Sequence, residues 1–243
     1  EEQKFIPYGR HQVTDKDINQ VVEVLKNKNL TQGEVTDNFE KAISDKVGSN
    51  YCVAVNSATS ALHLSCLAIG LNKNDILWTS PNSFVASANC GAYCGAEIDF
   101  VDIDPKTGLM CMNLLSEKLA AAKKQNKLPR VIIPVHLTGS VCDMEKLNEL
   151  AIKYKFLVVE DASHAIGAKY KGSYVGNCKF SDMTVFSFHP VKIITTGEGG
   201  CVTTNNKKLV NILYKLRSHG ITKNKSDYFF IPSGEWSYEQ QLL

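Results

Sequence analysis

The sequence holds 8 cysteines but no Cys-x-x-Cys pair; the nearest spacing is that of Cys90 and Cys94. That absence removes the common zinc and dithiol frameworks, and no metal site is expected. Cys52, Cys66 and Cys201 lie in apolar stretches, so buried free thiols in a reducing compartment are the expectation. No apolar run reaches bilayer-spanning length. The start at Glu1-Glu2 lacks the basic-then-apolar pattern of a secretory leader. A cytoplasmic protein without membrane contact is expected. Charge of one sign is missing as well, since 27 Lys and Arg face 25 Asp and Glu. Nucleic acid is therefore not an expected partner, and Lys123, Lys124 and Lys127 read as a solvated helix face. The Gly-x-Gly-x-x-Gly and Gly-Lys-Thr signatures are also absent, which argues against a plain nucleotide-binding domain.

What is present is a regular alternation of elements. Thr14 caps a helical pattern through Ile18, Val21, Val22 and Leu25, with apolar spacings of three and four. Further helices are expected over 36–47, 58–69, 84–93, 114–124, 144–154 and 207–219. Strands are expected over 51–55, 76–79, 98–101, 131–135, 156–160, 183–187 and 200–204. A hairpin is expected at 168–175, turning at Lys171-Gly172. The rhythm and the solid Val/Ile runs predict an α/β fold, a mostly parallel sheet sandwiched by helices. Ligands collect at the carboxyl ends of such strands.

Three such ends carry chemistry. Asn56-Ser57-Ala58-Thr59-Ser60 follows the first strand, and its small residues at a helix start suit a phosphate. A simple Ser/Thr helix cap is the other reading. Glu160-Asp161-Ala162-Ser163-His164 follows another strand. A buried carboxylate there needs a cation or strong donors, and a protonated pyridine nitrogen is one such cation. A turn cap for Asp161, and a core histidine for His164, are the plain alternatives. Ser187-Phe188-His189-Pro190-Val191-Lys192 precedes a glycine-rich turn. Burial would lower the lysine pKa and free a nucleophilic amine; a surface lysine lying along apolar residues is the alternative. Together the three match the phosphate, ring nitrogen and aldehyde of pyridoxal 5′-phosphate (PLP).

These blocks, with Thr196-Gly197-Glu198-Gly199-Gly200, Leu30-Thr31-Gln32-Gly33, Pro134-Val135-His136-Leu137-Thr138-Gly139 and Arg217-Ser218-His219-Gly220, resemble the DegT-type nucleotide-sugar aminotransferases over nearly the whole chain. The resemblance implies the large domain of a fold type I, aspartate aminotransferase-like enzyme. It implies a Schiff base between PLP and Lys192, with Asp161 on the ring nitrogen and Ala58, Thr59 and Ser187 on the phosphate. It implies Phe84 stacked on the ring, His164 near the phenolic oxygen, and Thr31, Gln32 and His136 near the sugar. L-glutamate would donate its amino group to C4 of a nucleotide-linked 4-keto-6-deoxysugar, as in pseudaminic acid synthesis. Tyr8-Gly9-Arg10-His11 and the stretch from Pro81 to Asn89 point to that branch. Amination at C3 and an inactive PLP-binding fragment are the alternatives. A sugar dehydratase of the same fold is disfavoured, because it would carry histidine in place of Lys192. A homodimer is implied. Residues 1–243 read as an N-terminal arm plus the cofactor-binding large domain, with a small C-terminal domain expected beyond Leu243.

Overall fold

The computed structural model describes residues 11–31, 33–222 and 239–240. Helix α1 (Asp15–Asn27) starts at the capping box that Thr14 and Asp17 form. Its apolar residues remain largely solvent-facing, with Val21 at 59% and Leu25 at 62% exposure. The remaining helices are α2 (Glu34–Val47), α3 (Ala58–Ala68), α4 (Ala86–Tyr93), α5 (Met112–Lys124), α6 (Met144–Tyr154) and α7 (Lys207–Arg217).

The strands of the main sheet are β1 (Tyr51–Val55), β2 (Ile76–Thr79), β3 (Glu97–Phe100), β4 (Val131–Ile133), β5 (Leu157–Asp161), β8 (Met183–Ser187) and β9 (Gly200–Thr204). They lie in the order β1-β9-β8-β5-β4-β2-β3. Strands β2 to β5 and β8 pair in parallel, while β9 runs antiparallel to both β8 and β1. The expected mostly parallel sheet is present, with one reversed strand inserted near its edge. Between β5 and β8, β6 (Lys169–Tyr170) and β7 (Ser173–Tyr174) form the expected hairpin. Its turn residues Lys171 and Gly172 both have positive φ, as a type I′ turn requires. Farther on, β10 (Ile221–Thr222) pairs with β11 (Glu239–Gln240).

Strand alternation sorts the core into two faces. Val53, Val159, Val185 and Val202 pack with α3, α4 and α7. On the other face, Ile132 and Val158 pack with α5 and α6, and Cys52, Phe186 and Cys201 pack with α2. Six of the eight cysteines are buried free thiols. Helix α4 lies unusually close to the sheet because its residues are small. A Cβ on Gly91 would sit 2.7–2.8 Å from methyl groups of Ile98 and Leu77. That close approach brings the N-terminal turn of α4 over the end of β5.

Strand β1 is an edge strand, and exposed edges invite pairing with other chains. Here the edge is sealed by side chains. Glu40 Oε1 accepts the Ala54 amide at 2.7 Å, and Arg217 donates to both the Ala54 carbonyl, at 3.2 Å, and Glu40. The Tyr214 hydroxyl reaches the Cys52 carbonyl at 3.4 Å. Glu40 is 6% exposed, so removing it strands a guanidinium and a backbone donor. Glu40→Ala should cost about 3 kcal/mol in urea unfolding, the low end for an orphaned buried ion-pair partner. Glu40→Gln, which keeps an acceptor for Ala54, should cost less. A change within about 0.5 kcal/mol for Glu40→Ala, the range of an ordinary surface substitution, would contradict this role.

Candidate active site

The C-terminal ends of β1, β5 and β8 open onto a cavity of about 350 Å³. Its walls include Ala58, Thr59, Asp161, His164, Ser187 and Lys192, and Phe84 and His136 also border it. Sequence positions more than a hundred residues apart thus meet at one sheet edge, where α/β folds place their ligands.

At the β1 end, Ser57 caps α3. Its Oγ accepts the Ser60 amide at 3.1 Å, and its carbonyl accepts Ala61. The Ala58 and Thr59 amides begin the helix without such partners among the described residues, and they border the cavity. Ser57 is the helix cap that the sequence allows, and the amides beside it are donors of a kind that suits an anion. Gly200, the first residue of β9, packs directly beneath it. A Cβ there would lie 2.5 Å from the Ala58 nitrogen and the Ser57 carbonyl carbon, so only glycine allows this approach.

At the β5 end, neighbouring carboxylates face opposite sides of the sheet. Glu160 accepts from Ser181, from Thr184 at 2.7 Å, and from His136 Nε2 at 2.7 Å. Burial would raise the Glu160 pKa, but His136, Ser181 and Thr184 hold it below the ordinary value. Burial opposes charge on His136, while contacts with Cys142 and Glu160 favour it and hold its pKa up. The Cys142 amide lies 3.3 Å from His136 Nδ1, and Nε2 shares a proton with Glu160 at 2.7 Å. Both ring nitrogens are thereby engaged in the interior, and His136 is fully buried. It borders the cavity without offering it a free ring nitrogen.

Asp161 faces the cavity and is 5% exposed. Its Oδ1 accepts the Ser163 amide at 3.2 Å and hydroxyl at 2.7 Å, and its Oδ2 accepts Ser87 Oγ at 2.6 Å. Residue His164 accepts the Thr138 amide on Nδ1 at 3.3 Å. Thr138 is held at a φ of 55°, a costly conformation for a β-branched residue, of the kind found at functional sites. Burial and the charge of Lys192 lower the His164 pKa, against Asp161.

Beyond β8, the chain leaves Ser187, loops through Lys192, and returns at Gly200. Phe188 donates its amide to Gly199 at 2.9 Å, closing the loop's neck. Lys192 is half-buried. Burial lowers its pKa, and the carboxylate of Asp161 partly restores it. Phe84, at 73% exposure, stands at the rim. Thr31 is exposed and does not line the cavity; Gln32 and Tyr8-Gly9-Arg10 lie outside the described residues. The sequence reading gave no role to Ser87 or Ser163, which hold Asp161.

The opposing effects on Lys192 make a signed prediction. In the protein without added ligand, Lys192 should react with an amine reagent with a midpoint below the ordinary lysine value. Asp161→Asn removes the restoring charge, so the midpoint should fall further. Peptide mapping of labelling against pH checks both; a midpoint that rises on Asp161→Asn contradicts the geometry.

The DegT/DnrJ/EryC1/StrS aminotransferase family model matches residues 11–234. UDP-4-amino-4,6-dideoxy-N-acetyl-beta-L-altrosamine transaminase of Campylobacter jejuni is 40% identical over 222 residues, 91% of this chain and 57% of that protein. GDP-perosamine synthase of Caulobacter vibrioides is 41% identical over 191 residues, 79% of this chain and 49% of that protein. Among solved structures, Helicobacter pylori PseC, an aminotransferase of pseudaminic acid biosynthesis, superposes with a TM-score of 0.84 at 31% identity. That match covers 99% of this chain and 60% of PseC. The chain thus spans roughly half to three-fifths of the length of these relatives. Residues 11–234 take in all seven strands of the main sheet and every residue bordering the cavity; the chain belongs to the DegT/DnrJ/EryC1/StrS aminotransferase family.

Proposed function

We propose that this chain is the cofactor-carrying domain of a PLP-dependent aminotransferase, moving an amino group from L-glutamate to C4 of a nucleotide-linked 4-keto-6-deoxysugar. One observation carries the reading: the start of α3, the Asp161 carboxylate and the Lys192 amine border a single cavity. An anion site, a carboxylate with an unfilled lone pair and an amine of lowered pKa suit PLP's phosphate, ring nitrogen and aldehyde.

The residues divide the work. The Ala58 and Thr59 amides and the Thr59 and Ser187 hydroxyls hold the phosphate, where the helix N-terminus favours negative charge. Asp161 would bind the ring nitrogen and keep it protonated. Lys192 would hold the cofactor through its amine and, once free of it, would take a proton from the donor's α-carbon. Its lowered pKa leaves a larger share of the amine unprotonated for that task. PLP, when bound, supplies the aldehyde for amine exchange and a ring that takes up electrons. His164, whose pKa is lowered by burial and by the charge of Lys192, would sit near the phenolic oxygen, and Phe84 would cover the ring's face from the rim. Water is excluded on the inner side by Leu62, Ala86 and Val135, which complete the cavity wall.

Amination at C4 draws support from the relative whose name carries the 4-amino group. Thr31 would approach the sugar from outside the cavity, and Gln32 is proposed for the same ligand. Phe84 and Val191 border the cavity and are exposed, as are Ile193 and Ile194 next in the loop, and such apolar surface suits cover by a second copy in a homodimer. No described helix is long and apolar enough to cross a membrane, and the buried free thiols fit a reducing cytoplasm.

Purified protein incubated with PLP should gain a visible absorption band, and borohydride should fix the cofactor on the peptide containing Lys192. Lys192→Ala should abolish the fixation and slow transamination by at least about 10²–10⁴-fold, the usual worth of a positioned acid–base group. Glutamate with a panel of UDP-, GDP- and dTDP-linked 4-keto and 3-keto sugars then reads the substrate. Labelling at another lysine, or at none, sinks the reading; turnover of 3-keto sugars alone moves the reaction to C3.

A further inference from the structure

We propose that Ser87 is a positioning residue that reserves a single lone pair of Asp161 Oδ2 for the cationic ring nitrogen; this rests on the PLP reading above. An ionised carboxylate has about four acceptor sites and no donor. On Oδ1 both sites are filled, by the amide and hydroxyl of Ser163. On Oδ2 one is filled, by Ser87 Oγ at 2.6 Å. The remaining site belongs to Oδ2, and Asp161 borders the cavity. No Lys, Arg or His makes an ion pair with Asp161 among the described residues. The carboxylate is therefore held by neutral donors, with one position left for a charged one.

The direction of the Ser87 bond is fixed by what surrounds it. Ser87 is fully buried, and Ser83 Oγ lies 2.7 Å from its oxygen. Ser87 donates its one proton to Asp161, so Ser83 donates to Ser87 at 2.7 Å in preference to its longer, 3.2 Å contact with the Phe84 carbonyl. The result is a one-way chain from Ser83 through Ser87 to Asp161. It depends on α4 lying tight against the sheet, which Gly91 permits. Without the Ser87 hydroxyl, Oδ2 loses the bond that sets its plane, and its free lone pair no longer has one direction.

The test compares two probes, PLP and its 1-deaza analogue, which has C–H in place of the ring nitrogen. Dissociation constants come from visible titration of the whole protein. The wild type should prefer PLP. Ser87→Ala should narrow that preference by about tenfold, in the range for a lost hydrogen bond to a charged group, with little change toward the analogue. Ser87→Thr, which keeps the hydroxyl, should restore it. Ser83→Ala, at a half-buried position, should narrow the preference to a smaller degree and covers the case in which Ser87→Ala does not fold. Equal weakening toward both probes, or no change in preference in Ser87→Ala and Ser83→Ala, overturns the role of Ser87 while leaving the PLP reading intact. A wild type that binds neither probe overturns both.

Discussion

A missing side chain at position 200 is the constraint on which the site depends. Gly200 pairs with Val55 on one side and Ser187 on the other, and it lies against the peptide that starts α3. A methyl group there would overlap backbone atoms, which have no rotamer to escape into. The contact fixes the phosphate-type turn after β1 relative to the loop after β8. Because β9 runs antiparallel, its beginning lies at the same sheet edge as the ends of β1, β5 and β8. The loop bearing Lys192 is therefore anchored at both ends within the sheet, by Ser187 before it and by Gly200 after it.

A second constraint is strand parity. Glu160 and Asp161 are adjacent carboxylates with different fates, because successive strand residues face opposite sides. Glu160 is absorbed into an interior network with His136, Ser181 and Thr184. Asp161 is held by two serines and turned to the cavity. The same economy of polar groups appears at the sheet's edge, where Glu40 and Arg217 satisfy both polar groups of Ala54. In both places, buried polar atoms are satisfied by named side chains, leaving an acceptor only where the cavity lies.

Much of this was legible in the residue order. The Thr14 cap, the Lys171-Gly172 turn and the Val/Ile runs each encode a local geometry, and each element formed near its expected bounds. The meeting of Ala58, Thr59, Asp161, Ser187 and Lys192 was readable because parallel sheets gather their strand ends. The reversal of β9 was not, since Gly200–Thr204 has the same apolar character in either direction. His136 follows β4, and nothing in its spacing says that its ring turns to Glu160 instead of the cavity. Ser87 was hidden because an uncharged serine among small helix residues resembles filler until α4 is seen pressed on the sheet. The apolar stripe of α1 was clear, but a pattern names the face and not what covers it.

Lys192 and the α3 turn must serve one bound molecule. The most direct measurement is an experimental structure of the protein soaked with PLP. Phosphate density should lie at the Ala58 and Thr59 amides, with continuous density from Lys192 Nζ into the cofactor. Cofactor seated with its phosphate away from α3, or a cavity that stays empty at saturating PLP, would contradict this.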